Sequence, residues 1–270
     1  MTNVVFQVQD SVGVIQLDRP EKLNAFTFEM IAEIRKAADM AAADERVVGI
    51  VVTGAGRAFC AGLDTGDLTR SASGTAPEAE PAAKVSEDEL PALFSHLLRI
   101  PKPVIAAVNG VAAGGGFVLA MMCDLRFAAA GASFTTAFSK RGLIAEHGTS
   151  WILPRLVGIN RALDLLWSAR RIDAAEALRI GFVDRVVPNE KLLDDAKAYI
   201  RDLAANVSPR SLAVMKAQIY RHSSLALEPA IRDADRLTHE SLAHPDATEG
   251  VKSFVERRPP RFARSKGEKI

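Results

Sequence analysis

Alternating and continuous apolar runs in the first half of the chain predict β-strands. Residues 4–8 and 12–17 alternate apolar with polar positions, and a turn near Asp10 separates them. Residues 47–53 and 104–108 are short apolar runs with many β-branched side chains, which is typical of buried strands. Two further short strands are predicted at 125–129 and 133–135.

Helical spacing of apolar residues begins after Thr27, whose hydroxyl is positioned to cap a helix with Glu29 in its first turn. A second apolar helical segment is predicted at 117–122, directly after a run of three glycines. Trp151 and Trp167 lie on apolar helical faces, so both are expected in the core.

The pattern becomes entirely helical after Asn189, which is expected to cap a helix reaching about residue 205. Ser208-Pro209 marks the start of another helix. An α/β core is therefore predicted over residues 1–200 and an all-helical region over residues 201–270. The helical region is small for a core of its own, so it is expected to pack on the main domain or on another subunit.

Residues 65–89 are rich in Gly, Ser, Ala, Pro and charged residues and show little periodicity. This composition predicts a surface loop, and two interpretations remain open: a mobile segment that covers a site, or an insert without function. Asp67 in this segment is a candidate to approach a site.

Composition and charge narrow the possible functions. The 270 residues are 48% hydrophobic, and 34 Lys and Arg nearly balance 33 Asp and Glu, so a global basic field that would attract nucleic acid or an acidic membrane is not expected.

The cysteines and the apolar segments indicate the compartment. Cys60 and Cys123 lack a metal or disulfide spacing, which favours a reducing compartment and no metal site. The N-terminus lacks the pattern of a signal peptide. The apolar segment 104–122 contains Asn109 and four glycines, so we expect no membrane span and a cytoplasmic location.

Two glycine-rich segments, 54–64 and 109–116, combine small residues with a strand that ends at each segment. Small residues let backbone N–H groups approach a ligand, and N–H groups at a helix start are free to donate. Such groups bind an oxyanion or a phosphate, and the glycines alone also fit tight helix–strand packing. Neither segment matches the phosphate-binding patterns G-x-x-x-x-G-K-[ST] or G-x-G-x-x-G.

Several blocks in order and spacing resemble the crotonase (enoyl-CoA hydratase/isomerase) superfamily. The two signature blocks correspond to R-A-F-C-A-G-L-D (57–64) and to P-K-P-V-I-A-A-V-N-G-V-A-A-G-G-G (101–116) with the following L-A-M-M-C-D-L-R-F-A (119–128). L-D-R-P-E-K-L-N-A-F (17–26) is similar to the first ligand-contacting loop of the family, and R-I-D-A-A-E-A-L-R-I-G-F-V-D-R-V-V-P (171–188) to a later block. The resemblance runs from about residue 13 to about residue 254.

The resemblance implies a ClpP/crotonase-like fold, in which ββα units form a spiral of two sheets followed by C-terminal helices. It also implies a homotrimer or a dimer of trimers that acts on a coenzyme A thioester. Coenzyme A is then part of the substrate, and no separate cofactor is expected.

The same resemblance assigns site residues by position. The oxyanion-hole amides map to Leu63 and Gly115. The expected substrate-binding residues are Leu23, Ala25, Ala61, Asp64, Gly114, Val118 and Phe138. Asp64 is interpreted mainly as a brace for its loop. The C-terminal cluster of Arg257, Arg258 and Arg261 is either a contact for the coenzyme A phosphates or a solvated basic tail.

The chain departs from the hydratase pattern at two positions. The two glutamates that hold water in the hydratases of the family map to Val118 and Phe138, which carry no proton and make apolar walls. One carboxylate remains, Glu146 in G-L-I-A-E-H-G-T-S (142–150), a segment that resembles the Δ3,Δ2-enoyl-CoA isomerases. Glu146 is therefore the expected acid/base. Its structural alternative is to favour the dipole of the following helix.

Four hypotheses of function follow from these residues. The leading hypothesis is an isomerase that shifts a 3-enoyl-CoA double bond to the 2-enoyl position through Glu146. An enoyl-CoA hydratase with one carboxylate and a non-catalytic acyl-CoA-binding protein are the alternatives, and a nucleotide-binding module is a remote one. Cys60 has no histidine placed to activate it, and His147 is expected to play no direct role.

Overall fold

The computed structural model of the chain describes residues 3–74 and 92–265. The strands in these residues are β1 Val4–Gln9, β2 Val12–Leu17, β3 Gly49–Gly54, β4 Ala58–Cys60, β5 Val104–Val108, β6 Val111–Ala113, β7 Leu125–Ala129, β8 Ser133–Thr135, β9 Ile172–Asp173 and β10 Arg185–Val187. The helices are α1 Phe28–Ala43, α2 Thr65–Ala72, α3 Gly115–Met121, α4 Thr149–Val157, α5 Ile159–Ser168, α6 Ala174–Arg179, α7 Leu192–Asn206, α8 Pro209–His222, α9 Leu227–Leu242 and α10 Pro245–Glu256.

The strands form two sheets, and the chain passes from one sheet to the other several times. One sheet has the order β1-β2-β3-β5-β7-β10, and the other has the order β4-β6-β8-β9. The first sheet is parallel except for the β1–β2 hairpin. Consecutive strands such as β3 and β4, or β5 and β6, enter different sheets before a helix follows. This repeated ββα path confirms the predicted α/β spiral with C-terminal helices.

The predicted strands are confirmed, several of them to the residue, because their apolar runs are buried. The side chains of β5 are all inaccessible to solvent, and those of β3 are buried as well. Thr27 caps α1 as expected, since its hydroxyl accepts the N–H of Met30.

Helix α7 belongs to the core rather than to the C-terminal region. It packs on strands β3, β5 and β7, and Ile200 lies so close to Gly49 that a Cβ atom added there would be 2.4 Å from the Ile200 side chain. The boundary predicted at residues 200 and 201 therefore falls inside α7, and the helices that leave the sheet begin after Asn206.

Two local expectations are wrong. Residues 65–72 of the expected loop form helix α2, because Asp64 accepts the N–H of Gly66 and Asp67 accepts the N–H of Phe28. The rest of the expected loop, apart from Ser73 and Gly74, lies outside the described residues. Asn189 does not cap α7, since its side-chain oxygen accepts the N–H of Gly131 instead.

Large apolar side chains remain exposed on the single chain. Trp167 is 73% exposed and Trp151 is 38% exposed, so the core position expected for both is wrong. Helices α8 to α10 also expose a set of apolar residues: Met215, Ile219, Leu227, Ile231, Leu242, Val251, Phe254 and Val255. Within residues 3–74 and 92–265, no helix combines the length and apolar character needed to cross a bilayer.

Candidate functional site

The segment around Leu63 is held in a strand-like conformation by Phe26. The N–H of Phe26 donates to the Gly62 oxygen at 2.9 Å, and the Phe26 oxygen accepts from the N–H of Asp64 at 2.9 Å. In this pairing the intervening Leu63 directs its own N–H away from Phe26. The Leu63 N–H donates no hydrogen bond to any described residue.

The N-terminus of α3 lies beside this segment. A Cβ atom added to Gly62 would be 3.4 Å from the Gly115 nitrogen and 2.8 Å from the Ala113 oxygen. Gly115 is the first residue of α3, where a backbone N–H has no acceptor within the helix. No other described residue accepts the Gly115 N–H either. The amides of Leu63 and Gly115, which the family resemblance assigns to an oxyanion hole, thus have no acceptor among the described residues and belong to neighbouring segments.

The glycines of this turn are required by close contacts. A Cβ atom at Gly115 would be 2.3 Å from the Phe26 ring, and one at Gly116 would be 2.1 Å from the Cys60 oxygen. Gly114 has φ +51° and ψ −117°, a backbone conformation that favours glycine, and its N–H donates to the Thr135 oxygen. The turn thus packs against both β4 and β8.

Hydrogen bonds hold the expected substrate-binding backbone of Leu23, Ala25 and Ala61 next to the Leu63 segment. The N–H of Ala61 donates to the Leu23 oxygen at 3.0 Å, which joins the loop before α1 to the segment after β4. The Ala25 oxygen accepts from Nη1 of Arg19, and the same nitrogen lies 2.8 Å from the Asp64 carboxylate. The N–H of Gly66 and the Arg19 guanidinium lower the pKa of Asp64. Asp64 therefore braces the loop as a carboxylate.

Two asparagines that sequence reasoning missed, the buried Asn24 and the partly buried Asn109, hold these segments in place. The side chain of Asn24 accepts from the Arg19 N–H and donates to the oxygens of Ala55 and Ala58. The side chain of Asn109 accepts from the N–H of Gly54 and also donates to the Ala58 oxygen. The only signal in the sequence was a polar amide within each family block.

The two positions that the family resemblance aligns with the hydratase acids carry buried apolar side chains. Val118 is fully buried one turn into α3, and Phe138 is 5% exposed. The Phe138 oxygen accepts the N–H of Leu143 at 3.1 Å, so Phe138 leads directly into the segment that carries Glu146. Neither side chain can hold a water molecule by hydrogen bonding.

Glu146 lies on the turn that opens α4, and α4 packs against α3. His147 and Gly148 follow with φ +53° and +75°, and the Glu146 oxygen accepts the N–H of Thr149 at 2.9 Å. The half-buried carboxylate has no hydrogen bond or ion pair with a described residue. Burial lowers the pKa of His147 although the nearby Glu146 charge opposes this shift, so the imidazole is neutral near pH 7.

The two thiols are unreactive structural groups. Burial raises the pKa of Cys60 to about 12 and that of Cys123 to about 12. This confirms the interpretation of Cys60 as a small buried residue, because a thiolate is the reactive form.

In the described part of the chain, no group of three or more His, Cys, Asp or Glu side chains is arranged to hold a metal ion.

The C-terminal arginines differ from one another. Arg258 forms ion pairs with Glu249 and Glu256, and the Arg261 N–H donates to Glu249. The side chains of Arg257 and Arg261 are exposed. None of the three is hydrogen-bonded to the described segments around Leu63 and Gly115.

Comparison with known proteins gives matches over nearly the whole chain. The family model for enoyl-CoA hydratase/isomerase matches residues 7–265. The chain is 37% identical over 265 residues to 1,2-epoxyphenylacetyl-CoA isomerase of Escherichia coli, covering 97% of this chain and 98% of that protein. It is also 37% identical to a probable enoyl-CoA hydratase of Rhodobacter capsulatus, over 95% of this chain and 96% of that one.

A solved structure agrees with these relatives. The crystal structure of a probable enoyl-CoA hydratase/isomerase from Mycobacterium abscessus matches with a TM-score of 0.86 and 31% identity, covering 98% of this chain and all of that chain.

Proposed function

The chain belongs to the enoyl-CoA hydratase/isomerase family, and from this premise we propose that it converts a 3-enoyl-CoA to the 2-enoyl-CoA with Glu146 as the acid/base. The observation that carries the proposal is the Glu146 carboxylate, which has no hydrogen bond or ion pair with a described residue and lies on the turn before α4, a helix that packs against the α3 helix of Val118. Isomerisation needs one proton carrier and a dry pocket, whereas hydration needs a positioned water.

The N–H groups of Leu63 and Gly115 bind the thioester oxygen in this proposal. Their support is that both lack a described protein acceptor and lie on adjacent segments. As negative charge develops on the oxygen, the C2 proton becomes acidic, and a donor of this kind contributes about 3–4 kcal/mol to transition-state stabilisation. The enolate keeps the electron pair delocalised over the oxygen, C2 and the 3,4 double bond.

Glu146 removes the proton from C2 and returns it at C4, which moves the double bond into conjugation with the thioester. The carboxylate regains its starting state, and no cofactor or metal takes part. The exposed Leu143, Ile144 and Trp151 around Glu146 support an apolar acyl chain as the group bound there.

The coenzyme A portion lies along the backbone of Leu23, Ala25 and Ala61 in this proposal.

The assembly proposed for the chain is a homotrimer or a dimer of trimers. Its support is the set of apolar side chains exposed on α8 to α10, because an exposed apolar surface marks an interface. Light scattering on the purified protein measures this assembly. A cytoplasmic location belongs to the same proposal.

The test offers purified protein a 3-enoyl-CoA and follows the conjugated product by its ultraviolet absorbance. We expect turnover by the wild type and a loss of at least about 1,000-fold in Glu146→Gln, with substrate binding retained. Glu190→Gln, at an exposed glutamate of the turn before α7, is the matched control and should keep full activity.

Hydration is the second candidate, since several relatives are named probable enoyl-CoA hydratases. In a parallel assay with a 2-enoyl-CoA, water addition that is fast in the wild type and unchanged in Glu146→Gln would contradict the role of Glu146. Tight acyl-CoA binding without turnover of either substrate would instead favour a binding protein.

A further inference from the structure

Thr149 carries a polar group that the fold does not use. The residue is fully buried, with 0% of its surface exposed, and its hydroxyl has no hydrogen-bond partner among the described residues. A buried hydroxyl without a partner weakens a fold, because its hydration is lost and nothing replaces it. Valine has nearly the same shape and would avoid this loss, so folding alone does not account for threonine here.

The position of Thr149 links this hydroxyl to Glu146. The Thr149 N–H donates to the Glu146 oxygen at 2.9 Å, so the two residues close one turn. The two side chains therefore extend from the two ends of the same short turn. Thr149 supplies an unused donor, and the half-buried carboxylate of Glu146 is an unused acceptor.

We propose that Thr149 is a positioning residue, whose hydroxyl donates a hydrogen bond to the Glu146 carboxylate when an acyl thioester fills the site. This inference rests on the proposed function of Glu146. The left-handed backbone of His147 and Gly148 fixes the turn, so forming the bond requires rotation of the Glu146 side chain and leaves the backbone in place. The hydrogen bond holds the carboxylate in one orientation and favours its ionised form, which is the form that accepts the C2 proton.

The experiment compares Thr149→Val, Thr149→Ser and Glu146→Gln with the wild type in the 3-enoyl-CoA assay. Ser150→Ala, at the exposed neighbour of Thr149, is the matched control. For each variant kcat, KM, the pH dependence of kcat/KM and the midpoint of thermal unfolding are measured.

We expect Thr149→Val to lower kcat by about 10-fold or more while KM stays within about 2-fold, because a hydrogen bond to a charged group is lost. The acidic limb of its pH profile should move to higher pH, since the ionised carboxylate has lost a donor. Its unfolding midpoint should be equal to or higher than that of the wild type. Thr149→Ser should recover most of kcat, and Ser150→Ala should behave as the wild type.

Turnover of Thr149→Val within about 2-fold of the wild type, with an unshifted pH profile, would overturn the inference. So would a lower unfolding midpoint together with an unchanged pH profile, since the hydroxyl would then be structural. These outcomes leave the proposed function intact if Glu146→Gln remains inactive. A wild type that does not isomerise any 3-enoyl-CoA, or an active Glu146→Gln, would instead remove both the proposed function and this inference.

Discussion

Gly115 lies directly against the ring of Phe26, at a spacing that admits no side chain. A Cβ atom at Gly115 would be 2.3 Å from Cζ of Phe26. The ring cannot retreat freely, because it is buried and packs edge-on against Phe94 with centroids 5.4 Å apart. Since the backbone of Phe26 also pairs with Gly62 and Asp64, one residue sets the positions of both amides proposed to bind the thioester oxygen.

Gly115→Ala should therefore impair catalysis, with some loss of stability from the crowded Phe26 ring. The added methyl group displaces either the Gly115 N–H or the Phe26 backbone, and the loss of one oxyanion donor lowers kcat by about 100- to 1,000-fold. Steady-state kinetics with the 3-enoyl-CoA measure this effect. Adding Phe26→Leu to the Gly115→Ala variant should restore part of kcat.

Gly250→Ala is the matched control for Gly115→Ala. Gly250 lies inside α10, and an added Cβ atom would be 3.9 Å from the Phe262 ring, which is an ordinary contact. This variant should keep full activity and should be slightly more stable, because alanine favours a helix over glycine by about 1 kcal/mol. Equal activity in Gly115→Ala and Gly250→Ala would contradict the role given to the Gly115 amide.

The Asn24 side chain should be essential for stability as well as for the site. Asn24→Ala removes three hydrogen bonds and leaves the Ala55 oxygen without this donor. We expect a loss of about 2–4 kcal/mol in the free energy of unfolding, together with weaker acyl-CoA binding. Urea denaturation and binding titration measure the two effects. Asn206→Ala, at the exposed end of α7, should change neither by a comparable amount.

Lys216 should be the main anchor of α8 on the core. Its ammonium group donates to the oxygens of Leu97 and Lys102 and lies 2.7 Å from the carboxylate of Asp124. Lys216→Met leaves this largely buried carboxylate without its charged partner, so the free energy of unfolding should fall by about 3 kcal/mol or more. Urea denaturation measures the loss, and the exposed Lys36→Met is the control. A loss as small as that of the control would show that the Lys216–Asp124 ion pair does not anchor α8.

Local patterns were sufficient to predict most of the longer strands and the glycine-rich segments, whereas the arrangement in two sheets came from the family resemblance. Strand β5 and the glycine-rich turn are recognisable from short local runs, whereas the requirement for glycine at Gly115 depends on the ring of Phe26, which is distant in the sequence. The contribution of Asn24 could not be predicted from its surroundings, because it depends on the carbonyl oxygen of Ala58, 34 residues away. Helix α2 was missed for a similar reason, since the Asp67 side chain that holds it accepts from Phe28.

Apolar patterning also does not distinguish a core from a surface that a subunit covers. Trp167 lies on a helical apolar face and yet is exposed on the single chain.

The assignment of Glu146 as the acid/base came from the resemblance of its segment to a family. The residue type alone was not sufficient, because a lone carboxylate before a helix also stabilises the helix dipole.

Acid should destabilise the protein through His96, in the 3-10 turn Ser95–Arg99. Its Nε2 atom is buried and has no partner among the described residues. Burial, with a smaller contribution from the Arg35 charge, lowers the pKa of His96 to about 4 from an ordinary value of 6.5. Between these pH values the unfolded chain binds a proton at this residue and the folded chain does not. The free energy of unfolding therefore falls as the pH falls from about 6.5 to about 4.

For this single group the expected loss between pH 7 and pH 5 is about 2 kcal/mol. The measurement is urea denaturation of the wild type and His96→Leu at both pH values, because groups other than His96 cancel in the comparison. The wild type should lose about 2 kcal/mol more than His96→Leu, whereas the exposed His239→Leu should follow the wild type. An equal loss in the wild type and His96→Leu would mean that the folded protein accommodates the charged imidazole, and the buried Nε2 would then be reached by solvent or an acceptor as the pH falls.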